Sequence, residues 1–295
     1  MLEKSDQLKT LLLVNPVAGI SKKKKVLHDL KTTYSNIDYI ITEFPGHIRN
    51  IFKENKSKYD LFVAVGGDGT FNELISEAIG SDKLVAVLPY GSGNGFAREF
   101  GFSKSLKKLL KAIHKGEYLE VDSLDVNGRI SVNVTGTGFD SRIAHVFHRM
   151  KRRGFWSYFY STLKTITFLK SIDADIITDQ KSCSGKYLLI SAANNKQYGN
   201  NAIISPKASP FDGKFELLLF RPFPKILFPY FAIQVFLGSL RQSRYVEYIQ
   251  GLERAVIHTD FNQFHIDGEA VEMDSPVEIV INPKSLKVLK TDKFR

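Results

Sequence analysis

Cysteine is nearly absent. Cys183 is the only one in 295 residues, so no intrachain disulfide can form and no Cys-rich zinc site exists. A reducing, cytoplasmic setting is the default expectation. Long apolar runs are lacking too. The greasiest stretch, 222–240, contains Pro224, Lys225, Pro229 and Gln234, and its uncharged part is too short and broken to read as a membrane span. Residues 1–10 are polar and carry no apolar h-region, so no signal peptide is expected. There is no G-x-x-x-x-G-K-[ST] and no clean G-x-G-x-x-G after the first strand. The Walker P-loop and the dinucleotide Rossmann fingerprint are therefore both excluded. No internal repeat, low-complexity tract or obvious linker is visible.

What is present is an ordinary globular composition. The chain is 43% apolar and 24% charged, which excludes disorder, a collagen-like chain and a disulfide scaffold. A mass of 33.3 kDa corresponds to about two average domains. Lys and Arg number 41 against 31 Asp and Glu, a net charge of +10. That surplus points to anionic partners: nucleic acid, nucleotide phosphates or an anionic membrane surface.

The first part of the chain alternates. Apolar runs at 10–15, 61–65 and 84–88 read as strands buried on both faces, and 38–42 as another strand. Segments 22–34, 71–79 and 106–114 have helical spacing. This alternation predicts a parallel sheet with helices on its faces. The pattern changes near residue 120. Runs at 121–126 and 130–134 flank Asn127-Gly128, a strong hairpin signal. Helical segments at 142–151 and 156–169 follow. Strand-like runs then recur at 174–178, 187–192, 215–220, 255–258, 263–266 and 277–281, with a second hairpin turn at Asp267-Gly268. The second half thus predicts a mainly antiparallel sandwich or half-open barrel.

Two segments carry chemistry. In LFVAVGGDGTFNELI (61–75) a buried strand runs through Gly66, Gly67, Asp68, Gly69 and Thr70 into a helix. Glycines let the backbone approach a ligand, and the helix N-terminus adds partial positive charge, so this reads as a phosphate cradle. The competing reading is a tight Asp-Gly turn capped by Thr70. LVAVLPYGSGNGFAREF (84–100) repeats the arrangement with Gly91, Ser92, Gly93, Asn94 and Gly95; alternatively, Ser92 or Asn94 is a helix cap. At the first strand, Asn15-Pro16 and Gly19 precede a lysine run, from which Lys22 is a candidate to reach a nucleotide.

NPVAG, GGDGTFNE, LPYGSGNGFARE, NVTGTGFD and HIDGE, in this order and spacing, resemble the diacylglycerol kinase catalytic-domain family. This family includes bacterial soluble lipid kinases and is related to sphingosine and ceramide kinases. The resemblance spans about 10 to 280. It implies an α/β nucleotide-binding domain with a parallel sheet like that of NAD kinase and diacylglycerol kinase (1–124). A β-rich lipid-substrate domain (125–295), mainly an antiparallel β-sandwich, would follow, with the active site in the cleft between. The last strand is a candidate to return to the first domain. The implied activity is ATP-dependent transfer of the γ-phosphate to the hydroxyl of a diacylglycerol-like or sphingoid lipid. ATP and Mg²⁺ are the implied cofactors, and lipid metabolism and phospholipid biosynthesis the implied setting.

Carried onto this chain, the resemblance implies that Gly66, Gly67, Gly69 and Thr70 hold phosphates. Asn15, Gly91, Ser92, Gly93 and Asn94 would line the nucleotide pocket, Glu73 belongs to the same motif, and Arg152 beside Arg153 would contact phosphate, although that Lys/Arg cluster is equally a solvated or membrane-facing patch. Asp267 is the implied base and Glu269 its orienting partner, with Asp68 as rival base near the metal. Locally, Asp267-Gly268 is simply a good turn. Asp68, Asp122 and Asp212 are the implied metal ligands, Asp68 and Asp122 in a carboxylate–water–metal network and Asp212 in SPFDGKFELLLF (209–220), which resembles the family's structural Mg²⁺ loop and is equally an Asp-Gly turn opening a strand. Gly95 stands where many bacterial relatives have an aspartate, which leaves their carboxylate–water–metal network incomplete. Ser92 replaces the usual threonine and keeps the hydroxyl. Asp140 falls in a segment for which the resemblance implies contact with substrate head groups or ATP, or else it is a helix N-cap, and His265 reads as a strand residue with nothing to pair with nearby. The apolar stretch 223–240 and the aromatic cluster at 155–160 are core or membrane-facing. The implied partners are a membrane lipid substrate and an anionic membrane surface at the inner face, with no nucleic acid and with a homodimer left open. An NAD kinase-like enzyme and a catalytically silent lipid- or nucleotide-binding regulator are the alternatives.

Overall fold

The computed structural model describes residues 8–16, 28, 37–91, 93–148, 170–199 and 201–294. The expected helices at 22–34 and 156–169 and the aromatic cluster at 155–160 lie mainly or wholly outside these residues, as do Gly19, Lys22, Ser92, Arg152 and Arg153. The chain divides into two compact units, 1–121 with 284–295, and 122–283.

The first unit is an α/β layer structure. Its strands are β1 (Thr10–Val14) and β2 (Asp38–Ile41); after α1 (His47–Asn55) come β3 (Leu61–Gly66), α2 (Asp68–Ala78) and β4 (Leu84–Pro89). They pair in parallel in the order β2-β1-β3-β4, and the returning residues 287–288 pair in parallel with β4. Both β3 and β4 are buried at every position, which is why they read as unbroken apolar runs rather than alternating ones. Helices α3 (Gly95–Glu99) and α4 (Leu106–Lys115) follow. Ser105 caps α4 by accepting the Lys108 N–H, and Gly116 ends it at a φ of 67°. Strand β5 (Tyr118–Val126) crosses the division between the units. The helix α1 was not legible as an element, because it carries only Ile48, Ile51 and Phe52 as buried residues.

In the second unit β5 pairs with β6 (Arg129–Ser131) across Asn127-Gly128, whose φ angles of 48° and 80° both lie in the left-handed region. Next come β7 (Val134–Gly138), α5 (Phe139–His148), β8 (Ile172–Thr178), β9 (Ser182–Tyr187), β10 (Leu189–Ala193), β11 (Phe215–Phe220), α6 (Phe228–Phe236), β12 (Val246–Leu252), β13 (Arg254–His258), β14 (Gln263–Ile266), β15 (Glu269–Glu272) and β16 (Val277–Leu289). One antiparallel sheet runs β12-β11-β10-β7-β14-β15, and another includes the start of β16 with β13, β8 and β9. Ile176, Tyr187, Ile257 and Ile279 of one sheet share a buried cluster with Ile190, Leu217, Leu219 and Phe264 of the other. The second unit is therefore an antiparallel β-sandwich.

Two expected strands are split. The run 187–192 breaks at Leu188, where the chain leaves the β8-paired sheet and joins the β7-paired one. The run 130–134 breaks at 132–133, because these N–H groups bond to a side chain instead of a neighbouring strand. The helix expected from residue 142 begins at Phe139. Strands β9, β12 and β15 were missed, β9 because SCSGKY offers almost nothing apolar to alternate.

Candidate functional site

The chemistry of the first unit gathers at the carboxyl ends of adjacent parallel strands β3 and β4. The ladder keeps Gly66 opposite Pro89, and the Tyr90 N–H donates to the Gly66 carbonyl at 2.6 Å. The two glycine-rich turns then meet. A Cβ on Gly91 would fall 2.5 Å from the Gly67 Cα, and one on Gly66 would fall 2.4 Å from the Thr70 Oγ1. Only glycine allows this approach.

Asp68 fastens the pair. Its Oδ2 accepts the Asn94 N–H at 2.7 Å and its Oδ1 the Gly95 N–H at 3.0 Å. A Cβ on Gly93 would come within 2.9 Å of that Oδ2. Asn94, at a φ of 51°, donates through Nδ2 to the Gly91 carbonyl at 2.7 Å, while its buried Oδ1 has no partner. From the end of β1, Asn15 donates through Nδ2 to Thr70 Oγ1 at 2.9 Å. Helix α2 starts at Asp68 after Gly67, and no side chain caps it. Its first-turn N–H groups at Gly69 and Thr70 suit an anion. Asn15, Gly66, Gly67, Asp68, Gly69, Thr70, Gly91, Gly93 and Asn94 are thus brought together. Glu73 is directed elsewhere: its Oε1 accepts the Ile48 N–H at 2.8 Å, in the first turn of α1.

In the second unit, Asp267 and Gly268 form the turn joining β14 to β15, at φ angles of 50° and 87°. The Asp267 carboxylate is buried and accepts four hydrogen bonds. Oδ1 takes Ser131 Oγ at 2.6 Å, Asn133 N at 2.9 Å and Val134 N at 3.1 Å; Oδ2 takes Val132 N at 3.0 Å. Oδ1 is saturated, and Oδ2 retains lone-pair capacity. Burial pushes this carboxyl up from the ordinary range, and the four donors pull the other way. Glu269 is exposed at the start of β15.

A second polar cluster stands on the same sheet. Asp140 Oδ2 accepts Tyr198 Oη at 2.6 Å, Ser191 Oγ at 2.8 Å and His265 Nε2 at 2.9 Å. His265 is buried, and its Nδ1 faces the Gly268 N–H at 3.4 Å, an arrangement that leaves the proton on Nε2. His265 therefore has a carboxylate partner 125 residues away, which no local pattern announces. Tyr198 and Ser191 were not singled out from the sequence, and neither lies in a recognisable motif.

The three carboxylates proposed for metal are placed differently. Asp122 is fully buried, and its Oδ2 accepts the Gly213 N–H at 2.8 Å. Asp212, next in the chain to Gly213, is exposed and accepts the Lys214 N–H at 3.1 Å. Asp68 bonds to the glycine-rich turn as described. Among the described residues, no group of three or more His, Cys, Asp or Glu side chains collects. One exposed carboxylate on a loop pinned by another suits a hard cation that keeps most of its waters, so the donor set fits Mg²⁺. Among the same residues no helix is long and apolar enough to cross a membrane.

Comparison with known proteins adds to this geometry. Residues 9–126 match the family described as the diacylglycerol kinase catalytic domain, and residues 131–290 match the YegS C-terminal NAD kinase beta sandwich-like domain. The chain is 26% identical over 254 residues to a Staphylococcus haemolyticus protein, covering 84% of this chain and 82% of that one. It is 27% identical over 248 residues to a Staphylococcus carnosus protein, with 81% and 79% covered. Both bear the name "Putative lipid kinase". The crystal structure of a diacylglycerol kinase from Bacillus anthracis superposes with a TM-score of 0.75 at 19% identity, covering 99% of this chain and 100% of that one. That likeness establishes the fold.

Proposed function

We propose, from the premise that this chain belongs to the diacylglycerol kinase catalytic-domain family, that it transfers the γ-phosphate of ATP to the hydroxyl of a diacylglycerol-like or sphingoid membrane lipid. The observation that carries the reading is the clasped pair of glycine-rich turns at the ends of β3 and β4, held by Asp68. Such a pair offers backbone N–H groups and an uncapped helix start to a polyphosphate. The nearby Asn94 Oδ1 is an acceptor that a ligand hydroxyl or amine satisfies.

Phosphoryl transfer asks a protein for positioning, charge neutralisation and a place for the hydroxyl proton. In this reading the Gly66–Thr70 and Gly91–Asn94 turns position the phosphates, with Asn15 orienting Thr70. Asp267 receives the lipid hydroxyl proton at Oδ2, since Oδ1 is already saturated, and burial favours the protonated product. Glu269 adds negative charge beside the turn. Asp68 is the rival base, and its two backbone bonds favour a positioning role instead. When bound, Mg²⁺ would supply charge neutralisation at the phosphates; in this reading a separate, structural ion would be held at Asp212, on the loop that Asp122 pins through the Gly213 N–H. Ser92 and Arg152 complete the nucleotide contacts in this proposal. The substrate places the chain at the cytoplasmic face of a membrane, as a peripheral protein.

The test is incubation of the purified protein with γ-labelled ATP, Mg²⁺ and a total lipid extract, with NAD as a parallel acceptor. Label in the organic phase supports the lipid kinase. Label on NAD alone assigns the activity to a nucleotide kinase. ATP binding with no labelled product makes the chain a silent binding protein.

A further inference from the structure

The stretch 223–240 is the most apolar in the sequence, yet the structure buries little of it. On α6 only Phe231 is buried, packed against the rings of Phe220 and Phe223 at centroid distances of 4.9 and 4.7 Å. The opposite face is open. Ile226 is 85% exposed, Tyr230 56%, Ile233 58% and Leu237 72%. Tyr230 and Ile233 lie on α6, Ile226 in the 3₁₀ turn 225–227 that leads into it and Leu237 at its C-cap, so the spacing of four, three and four residues continues one exposed side. Phe236, 56% exposed, widens the stripe. An apolar stripe facing solvent is not a core element, and patches of this kind mark interaction sites.

Charge identifies the occupant. From 217 to 246 the chain holds no Asp or Glu. Lys225 at the start of this element, and Arg241 and Arg244 just beyond its end, are exposed. Arg221 pairs with Glu247 at 3.1 Å. An apolar, partly aromatic face with cations at both ends complements an anionic bilayer, where side chains enter the acyl boundary and cations meet phosphates. A second copy of this chain fits worse. A two-fold contact through the stripe sets the same cations against their own copies.

We propose that the outer face of 226–237 is a membrane-docking surface that seats this protein on anionic phospholipid. This deepens the lipid-kinase reading and rests on it only in favouring a bilayer over a soluble partner. The helix lies along the interface and does not span it. Tyr230 and Phe236 sit at the head-group level, and Lys225, Arg241 and Arg244 hold the surface electrostatically.

The test is sedimentation of the full chain with vesicles of phosphatidylglycerol in phosphatidylcholine, against pure phosphatidylcholine. Wild type is expected to pellet with the anionic vesicles, less so as salt rises. Ile233→Glu with Leu237→Glu touches only exposed side chains, so thermal unfolding stays unchanged while vesicle affinity falls by tenfold or more. Replacing Lys225, Arg241 and Arg244 by Gln lowers affinity about fivefold for each cation removed. No pelleting of wild type, or equal pelleting of the Glu variant, overturns the proposal. A dimer in solution that the Glu variant dissociates, with vesicle binding unchanged, overturns it in favour of a self-interface. Turnover on detergent-dispersed lipid is read separately. Its absence speaks against the kinase reading and leaves the vesicle result to decide the surface.

Discussion

Replacing Asp267 is the sharpest perturbation available, because its carboxylate does two things at once. It holds the chain at 131–134 through one hydroxyl and three consecutive backbone N–H groups. It is also the proposed proton acceptor. Asp267→Asn keeps the size and tolerates the φ of 50°, where alanine adds backbone strain. The amide oxygen can still accept from Ser131, Asn133 and Val134. The amide nitrogen then faces the Val132 N–H, donor against donor. One buried N–H left unpaired costs about 1–3 kcal/mol, and the three remaining bonds lose their charge assistance, each weakening by about 1 kcal/mol. Removing a buried charge returns part of this. The expected net loss is about 2–4 kcal/mol, and Asp267→Ala loses more. Urea unfolding followed by circular dichroism measures it. A loss below about 0.5 kcal/mol, the range of an ordinary surface change, refutes the reasoning. Turnover is then measured where the Asn variant is folded and binds ATP. Abolished turnover supports the base role; retained turnover transfers it to Asp68.

Gly91→Ala places a Cβ 2.5 Å from the Gly67 backbone, so the clasped turns must separate; stability falls by about 1–3 kcal/mol and ATP binding is lost, and unchanged binding in a calorimetric titration would falsify the cradle. Asn15→Ala removes the bond to Thr70 and is expected to weaken ATP about fivefold by equilibrium dialysis, the equivalent of one hydrogen bond of about 1 kcal/mol. Glu216 is buried, and burial pushes its carboxyl up while the Ser205 hydroxyl pulls it down. Its stabilising, protonated form is fully present below the ordinary carboxylate value and lost as pH rises through the raised one. Wild type should therefore match Glu216→Gln in urea midpoint at acidic pH and fall below it towards neutrality. A gap that widens on acidification contradicts this.

The proposed membrane face illustrates why composition does not fix burial. The sequence shows that 223–240 is apolar, and both a core helix and a surface helix satisfy that. Which it is depends on what the rest of the fold lays beside it. Phe220, Phe223 and Tyr245 cover Phe231, while Ile226 and Leu237 stay open.

Local features were legible because neighbours in sequence carry their physics. The buried strand at 61–66 ends in Gly66 and the one at 84–89 in Pro89, with Gly91 two residues on, and a helix start follows each. Asn127-Gly128 and Asp267-Gly268 form their turns because both positions need left-handed backbone. The two-part α/β and β-sandwich order follows from the switch between alternating strand–helix units and successive strands. Tertiary structure alone decided the rest. Asp68 bonds across 26 and 27 residues to Asn94 and Gly95, His265 finds Asp140 across 125, and Asp267 takes N–H groups more than 130 residues away. Glu73, within the phosphate-loop motif, turns to the start of a helix the sequence did not reveal. Turn chemistry and propensity act over a few bonds, whereas a carboxylate's partners are chosen by sheet order and register, which only the assembled fold supplies.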